Sequence, residues 1–317
     1  MHMGCMRWTR VAPVILAAAL CSSLPTYSAA QGARQGLLSL EDARIFYEVR
    51  GAGEPILVVH GGPGLDHSYL RPGLDVLATG NTLIYYDQRG TGRSTTDIGP
   101  ETITLGAFVE DIEALREALG YERIHVLTHS FGSRIGLTYA HRYPDRVRSL
   151  VLLNPGEPGT RFGAETARRR AEARTEEDSM ELTRLTTSEA YEARDPATLG
   201  RVFAVAFRAA MRDPARVDEL DLDLMDTTAR QGQDVAELLG RELGTLDGWA
   251  RLAEIEAPTL VVHGRYDLPP LAMTTAMAEA LPNGRLEVLE SGHFPYVEDP
   301  DGLQSVVSAF LAGLTLR

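Results

Sequence analysis

Apolar positions fall into short unbroken runs that alternate with stretches spaced at three and four residues. The runs Ile56–Val59, Ile124–Leu127, Val147–Leu153 and Thr259–His263 are nearly continuous, the pattern of strands buried on both faces. Residues 45–49 alternate as Ile-Phe-Tyr-Glu-Val and end in Gly51-Ala52-Gly53, a strand and a turn. Further strands are predicted over 82–86 and 285–289. Phe108, Ile112, Leu115 and Leu119 recur at helical spacing, as do Ile135, Leu137, Tyr139 and Ala140. Two more helices are predicted near 272–281 and 303–314. Buried strands alternating with helices specify an α/β protein with a mainly parallel sheet covered on both faces.

One stretch breaks the alternation. From about 160 to 248 the chain is rich in Arg, Glu, Ala and Leu and has no strand-like run. It reads as a helical insertion. The expected division is therefore a core of residues 31–156 and 249–317 with a helical cap over 157–248.

In such sheets ligands sit beyond the carboxyl ends of the strands. His60-Gly61-Gly62, Asp87, Ser130, Asp267 and His293 each follow a predicted strand, so they are expected to converge on one edge. Ser130 lies in Thr128-His129-Ser130-Phe131-Gly132, between a strand and a helix. A serine in that turn has its hydroxyl exposed beside the unpaired N–H groups that open the helix. The usual pattern is G-x-S-x-G; here Thr128 replaces the first glycine and should crowd the turn. Taken alone, Ser130 would also serve as a plain helix N-cap.

A serine hydroxyl needs a base, and the base needs an orienting acid. His293, on the loop after the last strand, and Asp267, on the loop after the preceding one, supply them in the chain order Ser, Asp, His. The N–H groups of Phe131 and Gly62 are the expected oxyanion donors, with His60, Gly61 and Glu157 as candidates for holding the substrate. Asp87 and Arg89 are expected to brace their own loop, and Phe203, Phe207 and Trp249 to serve packing.

The motifs His60-Gly61-Gly62-Pro63-Gly64 and Asp87-Gln88-Arg89-Gly90-Thr91-Gly92-Arg93-Ser94, with the Ser130 turn, resemble the proline iminopeptidase family of α/β-hydrolases. The resemblance implies an eight-stranded core under a helical cap, a Ser-His-Asp triad, release of N-terminal residues from peptides, and no metal or organic cofactor. Two departures stand against it. The family's turn usually reads Gly-Gly-Ser-Trp-Gly, and the His129-Ser130-Phe131-Gly132 form is closer to esterase-like relatives. The family also holds the substrate's amino group with cap carboxylates. None of Glu157, Glu172, Glu176, Glu177, Asp178, Glu189 or Glu192 can be matched to that role. A carboxylesterase or lactonase is thus the alternative, and a ligand-binding protein on a retired hydrolase fold a more distant one. A carboxylate-nucleophile hydrolase is excluded by Ser130.

Bulk properties narrow this further. The formal charge of −13 over 317 residues disfavours a nucleic-acid partner, which needs a basic face. The expected partner is a small molecule or short peptide. Arg7 and Arg10, the apolar run Val11–Leu20 and the small residues Ser28-Ala29-Ala30 read as an export signal over residues 1–30. The expected location is secreted or periplasmic, with no stable membrane association once the signal is removed; a retained membrane anchor is the alternative. Both cysteines, Cys5 and Cys21, lie inside that segment, so the mature chain would contain no disulfide and no cysteine nucleophile.

Overall fold

The computed structural model describes residues 34–71 and 73–315. The export-signal reading falls outside them. The strands are β1 (Arg34–Ser39), β2 (Ala43–Gly51), β3 (Glu54–Val59), β4 (Asn81–Tyr86), β5 (Thr95–Thr96), β6 (Ile124–His129), β7 (Val147–Leu153), β8 (Thr259–Gly264) and β9 (Gly284–Leu289). They form one sheet in the order β1-β2-β4-β3-β6-β7-β8-β9, with β5 pairing the edge of β2. The pairs from β4 through β9 are parallel; β1 and β2 join antiparallel.

The sheet thus has nine strands where eight were expected, because the two-residue β5 adds to the main path of eight. Strand β1 has no counterpart in the hydrophobic pattern. It is an edge strand with one neighbour, and four of its six residues are exposed, so no apolar alternation is required of it.

The continuous apolar runs are explained by the two faces of the sheet. Leu57 and Val59 enter one buried layer and Ile56 and Val58 the other; Leu150 and Leu152 part in the same way from Val151 and Leu153. Side chains alternate across a strand, so covering both faces makes every position apolar. One layer is completed by α1 (Leu105–Ala118), α2 (Gly132–Arg142) and later α8 (Leu271–Ala280). Between β7 and β8 come only helices: α3 (Gly163–Ala173), α4 (Glu176–Thr186), the short α5 (Glu189–Glu192), α6 (Pro196–Arg208) and α7 (Asp226–Leu243). The short α9 (Pro295–Glu298) and α10 (Pro300–Thr315) end the chain, and α10 helps cover the second face. Among the described residues no helix is long and apolar enough to cross a membrane.

The crowding expected from Thr128 is resolved on α2. Thr128 is fully buried. A Cβ at Gly136 would sit 2.4 Å from the Thr128 methyl. The missing glycine of the turn is compensated by one eight residues later in the chain. Alanine is normally better than glycine inside a helix by about 1 kcal/mol. Gly136→Ala should nevertheless destabilise the native chain by about 1–3 kcal/mol, the usual cost of overpacking. In a Thr128→Gly background the same change should stabilise. Urea unfolding of the four proteins measures this; the same sign in both backgrounds would refute the pairing.

Candidate active site

The parallel strands end together, and their loops bring the expected residues to one place. Ser130 occupies the turn between β6 and α2 at φ +54°. A non-glycine residue in that region is strained, by about 1–3 kcal/mol, and persists only where its surroundings fix it. Here they do. The Ser130 N–H donates to the Leu153 carbonyl at 3.0 Å, and the Ser130 carbonyl accepts from the N–H groups of Ser133 and Gly156 at 3.0 and 2.8 Å. Ser133 Oγ donates to the same carbonyl at 2.7 Å.

His293 Nε2 lies 2.9 Å from Ser130 Oγ. Its Nδ1 lies 2.9 and 3.0 Å from the two carboxylate oxygens of Asp267. With Nδ1–H donating to the carboxylate, Nε2 is left as the acceptor facing the hydroxyl. Asp267 is buried, which by itself would raise its pKa; the adjacent imidazole, its hydrogen bond and the Asn154 amide outweigh burial and hold the carboxyl below its ordinary value. Asn154 Nδ2 donates to Asp267 at 2.7 Å and to the Gly292 carbonyl at 3.0 Å, and the Leu268 N–H donates to Asp267 at 2.7 Å.

The N–H groups of Gly62 and Phe131, the expected oxyanion donors, have no acceptor among the described residues. Phe131 starts α2, where N–H groups lack intrahelical partners. Gly62 sits at φ +128°, a conformation that a side chain would strain.

Three expected substrate contacts are corrected or qualified. His60 is wholly buried; one ring nitrogen accepts from the Gln88 N–H at 3.1 Å and the other lies 2.8 Å from the Gly61 carbonyl. It braces the loop and does not line the cavity around Ser130. Gly61 spends its N–H on Tyr69 Oη at 2.7 Å, so that donor is closed to a ligand. Its small size still matters, because a Cβ there would fall 2.9 Å from Ser130 Cβ. Glu157 does line the cavity. However, both its carboxylate oxygens accept from the Phe162 N–H, at 2.9 and 3.0 Å, and one also accepts from Trp249 Nε1 at 3.2 Å. Trp249 and Phe203 lie off the cavity, as expected of packing residues, whereas Phe207 lines it. Asp87 and Arg89 brace their surroundings: Asp87 meets His67 Nδ1 at 2.6 Å, and Arg89 forks onto Asp111 at 2.7 and 2.9 Å.

Two residues carry a role that the sequence did not assign. His129 lies 2.8 Å from Tyr69 Oη through Nδ1, and its Nε2 lies 2.9 Å from the His293 carbonyl. Tyr69 accepts from Gly61 and donates to His129. A buried chain of hydrogen bonds therefore runs from the glycine-rich loop to the backbone of His293. In the sequence only the place of His129 directly before Ser130 hinted at it. Among the described residues no group of three or more His, Asp or Glu side chains is placed to hold a metal ion.

The cavity over Ser130 has a volume of about 530 Å³ and is bounded by Gly62, Ser130 and His293 on the sheet side and by α3 and Phe207 opposite. A hydroxyl, a base with its orienting carboxylate and the Gly62 N–H donor line this space, and the Phe131 N–H lies next to Ser130 in the chain. Such a group can attack a carbonyl carbon and stabilise the resulting oxyanion.

The same network makes a stability claim. Burial pushes the His129 pKa from 6.5 down to about 3, further lowered by His293. The folded chain therefore keeps His129 neutral where the unfolded chain binds a proton. Its contribution is whole above about pH 6.5 and is lost as pH falls towards about 3, at about 1.4 kcal/mol per pH unit. Urea unfolding across this range should show a shallower pH slope for His129→Asn than for the native chain, by about that amount; equal slopes would contradict it.

Comparison with known proteins agrees with this architecture. The sequence pattern described as the alpha/beta hydrolase fold matches residues 54–300. A protein of Azorhizobium caulinodans named "Putative carbamate hydrolase RutD" is 32% identical over 279 residues, covering 85% of this chain and 95% of its own. A proline iminopeptidase of Heyndrickxia coagulans is 27% identical over 286 residues, covering 87% and 98%. The crystal structure of a proline iminopeptidase from Mycobacterium smegmatis superposes with a TM-score of 0.65 at 26% identity, covering 89% of this chain and 99% of that one. The chain belongs to the α/β-hydrolase fold family.

Proposed function

We propose that the chain is a serine hydrolase that cleaves an ester or amide of a small substrate through an acyl-enzyme. The observation that carries this reading is the 2.9 Å approach of Ser130 Oγ to His293 Nε2, with Nδ1 held by buried Asp267. In the first step Ser130 Oγ attacks the carbonyl carbon while its proton passes to His293 Nε2. Asp267 stabilises the imidazolium, and the N–H groups of Gly62 and Phe131 receive the oxyanion. Collapse expels the leaving group, which takes the proton from His293. Water then repeats the sequence on the acyl-enzyme, with His293 again as base, and frees Ser130.

Two leaving-group classes have separate support. The proline iminopeptidase relatives favour an amide at a peptide N-terminus. That reaction uses a carboxylate to hold the free amine, and Glu157 is the one candidate on the cavity wall apart from Asp267. The engagement of both Glu157 oxygens favours the second reading, an ester or amide with no requirement for a free amine. We take the second as the better fit to the site.

A substrate panel separates them. Short-chain acyl esters should turn over, and prolyl or alanyl arylamides should show no advantage over their N-acetyl forms. Ser130→Ala should lower kcat by about 10³-fold or more on every substrate cleaved. A strict need for a free amino group, abolished by Glu157→Gln, would instead establish the aminopeptidase. Full activity in Ser130→Ala would remove both readings.

A further inference from the structure

The charge on the cavity wall runs against the charge of the whole chain. The chain is formally −13, yet Arg134, Arg170 and Arg174 line the cavity against only Glu157 and Asp267. Both acids are already engaged, Asp267 by His293 and Asn154 and Glu157 by Phe162 and Trp249. Arg134 is fixed by backbone carbonyls, donating to Glu157 at 2.6 Å and Gly159 at 2.7 Å. Among the described residues it forms no ion pair.

The arginines of helix α3 differ in their partners. Arg168 points its guanidinium at Glu172, 2.7 Å away, Arg169 donates to the Asp267 carbonyl at 2.9 Å, and Arg170 is exposed towards the open cavity. Gly163, Thr166, Ala167 and Arg170 recur at three- and four-residue spacing on one face of α3 and line the cavity, as does Arg174, which follows the helix in extended conformation. Arg170 and Arg174 make no hydrogen bond or ion pair through their side chains among the described residues, and Arg174 Nε is buried without an acceptor. Neither guanidinium has a carboxylate to neutralise it beside the cavity, and the guanidinium fork matches a carboxylate in two parallel hydrogen bonds.

We propose that the substrate carries a carboxylate in the part that lies under α3, held by Arg170 and Arg174 while its ester or amide carbonyl faces Ser130. This rests on the serine-hydrolase reading above and names its substrate class. It also accounts for the cavity offering no free acid to an amine: the site selects the opposite charge. The carboxylate could belong to the half-ester of a dicarboxylic acid or to the C-terminus of a short peptide, and both present the same group to the arginines.

The test uses matched pairs on the purified protein. Mono-4-nitrophenyl glutarate is compared with methyl 4-nitrophenyl glutarate, and alanyl-alanine with alanyl-alanine amide. The charged member of one pair should have the higher kcat/KM, by about tenfold or more, and the pair that responds identifies the source of the carboxylate. In Arg170→Gln/Arg174→Gln, which keeps a good helix former at position 170 of α3, the charged-to-neutral ratio should collapse towards one. Added salt should erode it in the native protein. Glutarate binding to Ser130→Ala by calorimetry, lost in the arginine variant, reads the anion site without catalysis. If no ester or peptide is cleaved but glutarate still binds through these arginines, the hydrolase reading fails and the anion site stands. A ratio at or below one in the native protein, or a ratio and glutarate affinity unmoved by the arginine variant, overturns the proposal.

Discussion

The left-handed backbone at Ser130 is the constraint on which the rest of the site depends. A serine at φ +54° is held only by what surrounds it, and the surroundings come from distant parts of the chain. Its N–H is tied to the end of β7 and its carbonyl to Gly156 and to the first turn of α2. A Cβ at Gly132 would fall 2.5 Å from the carbonyls of Val59 and His60, so α2 starts in direct contact with the end of β3. This packing sets the hydroxyl and Gly62 around one cavity, with the unpaired Phe131 N–H next to Ser130 in the chain. Strain of this kind is kept at functional turns because the parallel sheet beneath them cannot relax.

His293 is fixed with comparable redundancy. Its N–H donates to the Ala210 carbonyl at 2.7 Å, its carbonyl accepts from His129, and its ring spans Asp267 and Ser130. The neighbouring Gly292 N–H donates to Glu298 at 2.7 Å. Ala210 follows α6, so the helices between β7 and β8 do more than roof the cavity: they hold the base. The chain from Gly61 through Tyr69 and His129 to His293 links the two sides of the site by the same means. A displaced glycine-rich loop would be felt at the imidazole, and the cost of an unpaired buried group keeps the arrangement in register.

Much of this was legible because it depends on order along the chain. The continuous apolar runs mark doubly covered strands, and each expected site residue directly follows one, so Ser130, Asp267 and His293 could be brought together without coordinates. What stayed hidden depends on partners. Gly61 and His60 sit beside the site in sequence, but only the fold shows that Tyr69 and Gln88 occupy their polar groups. Asn154 closes a predicted strand, yet nothing local says that its amide reaches Asp267. Strand β1 is too exposed to leave an apolar signature. Glu157 reads as a free cap acid until Phe162 and Trp249 are found on its carboxylate. The arginines of α3 have the spacing of one face, and a spacing cannot say whether that face meets water or a cavity.

The acyl group of the substrate must pass through one oxygen, that of Ser130. Native and Ser130→Ala protein treated with a fluorophosphonate and digested for peptide mass mapping test this most directly. A single stoichiometric adduct on the peptide that contains Ser130, absent from the variant and slowed in His293→Ala, is the expected result. A folded native protein that takes up no label, or that carries it on another residue, would contradict the account.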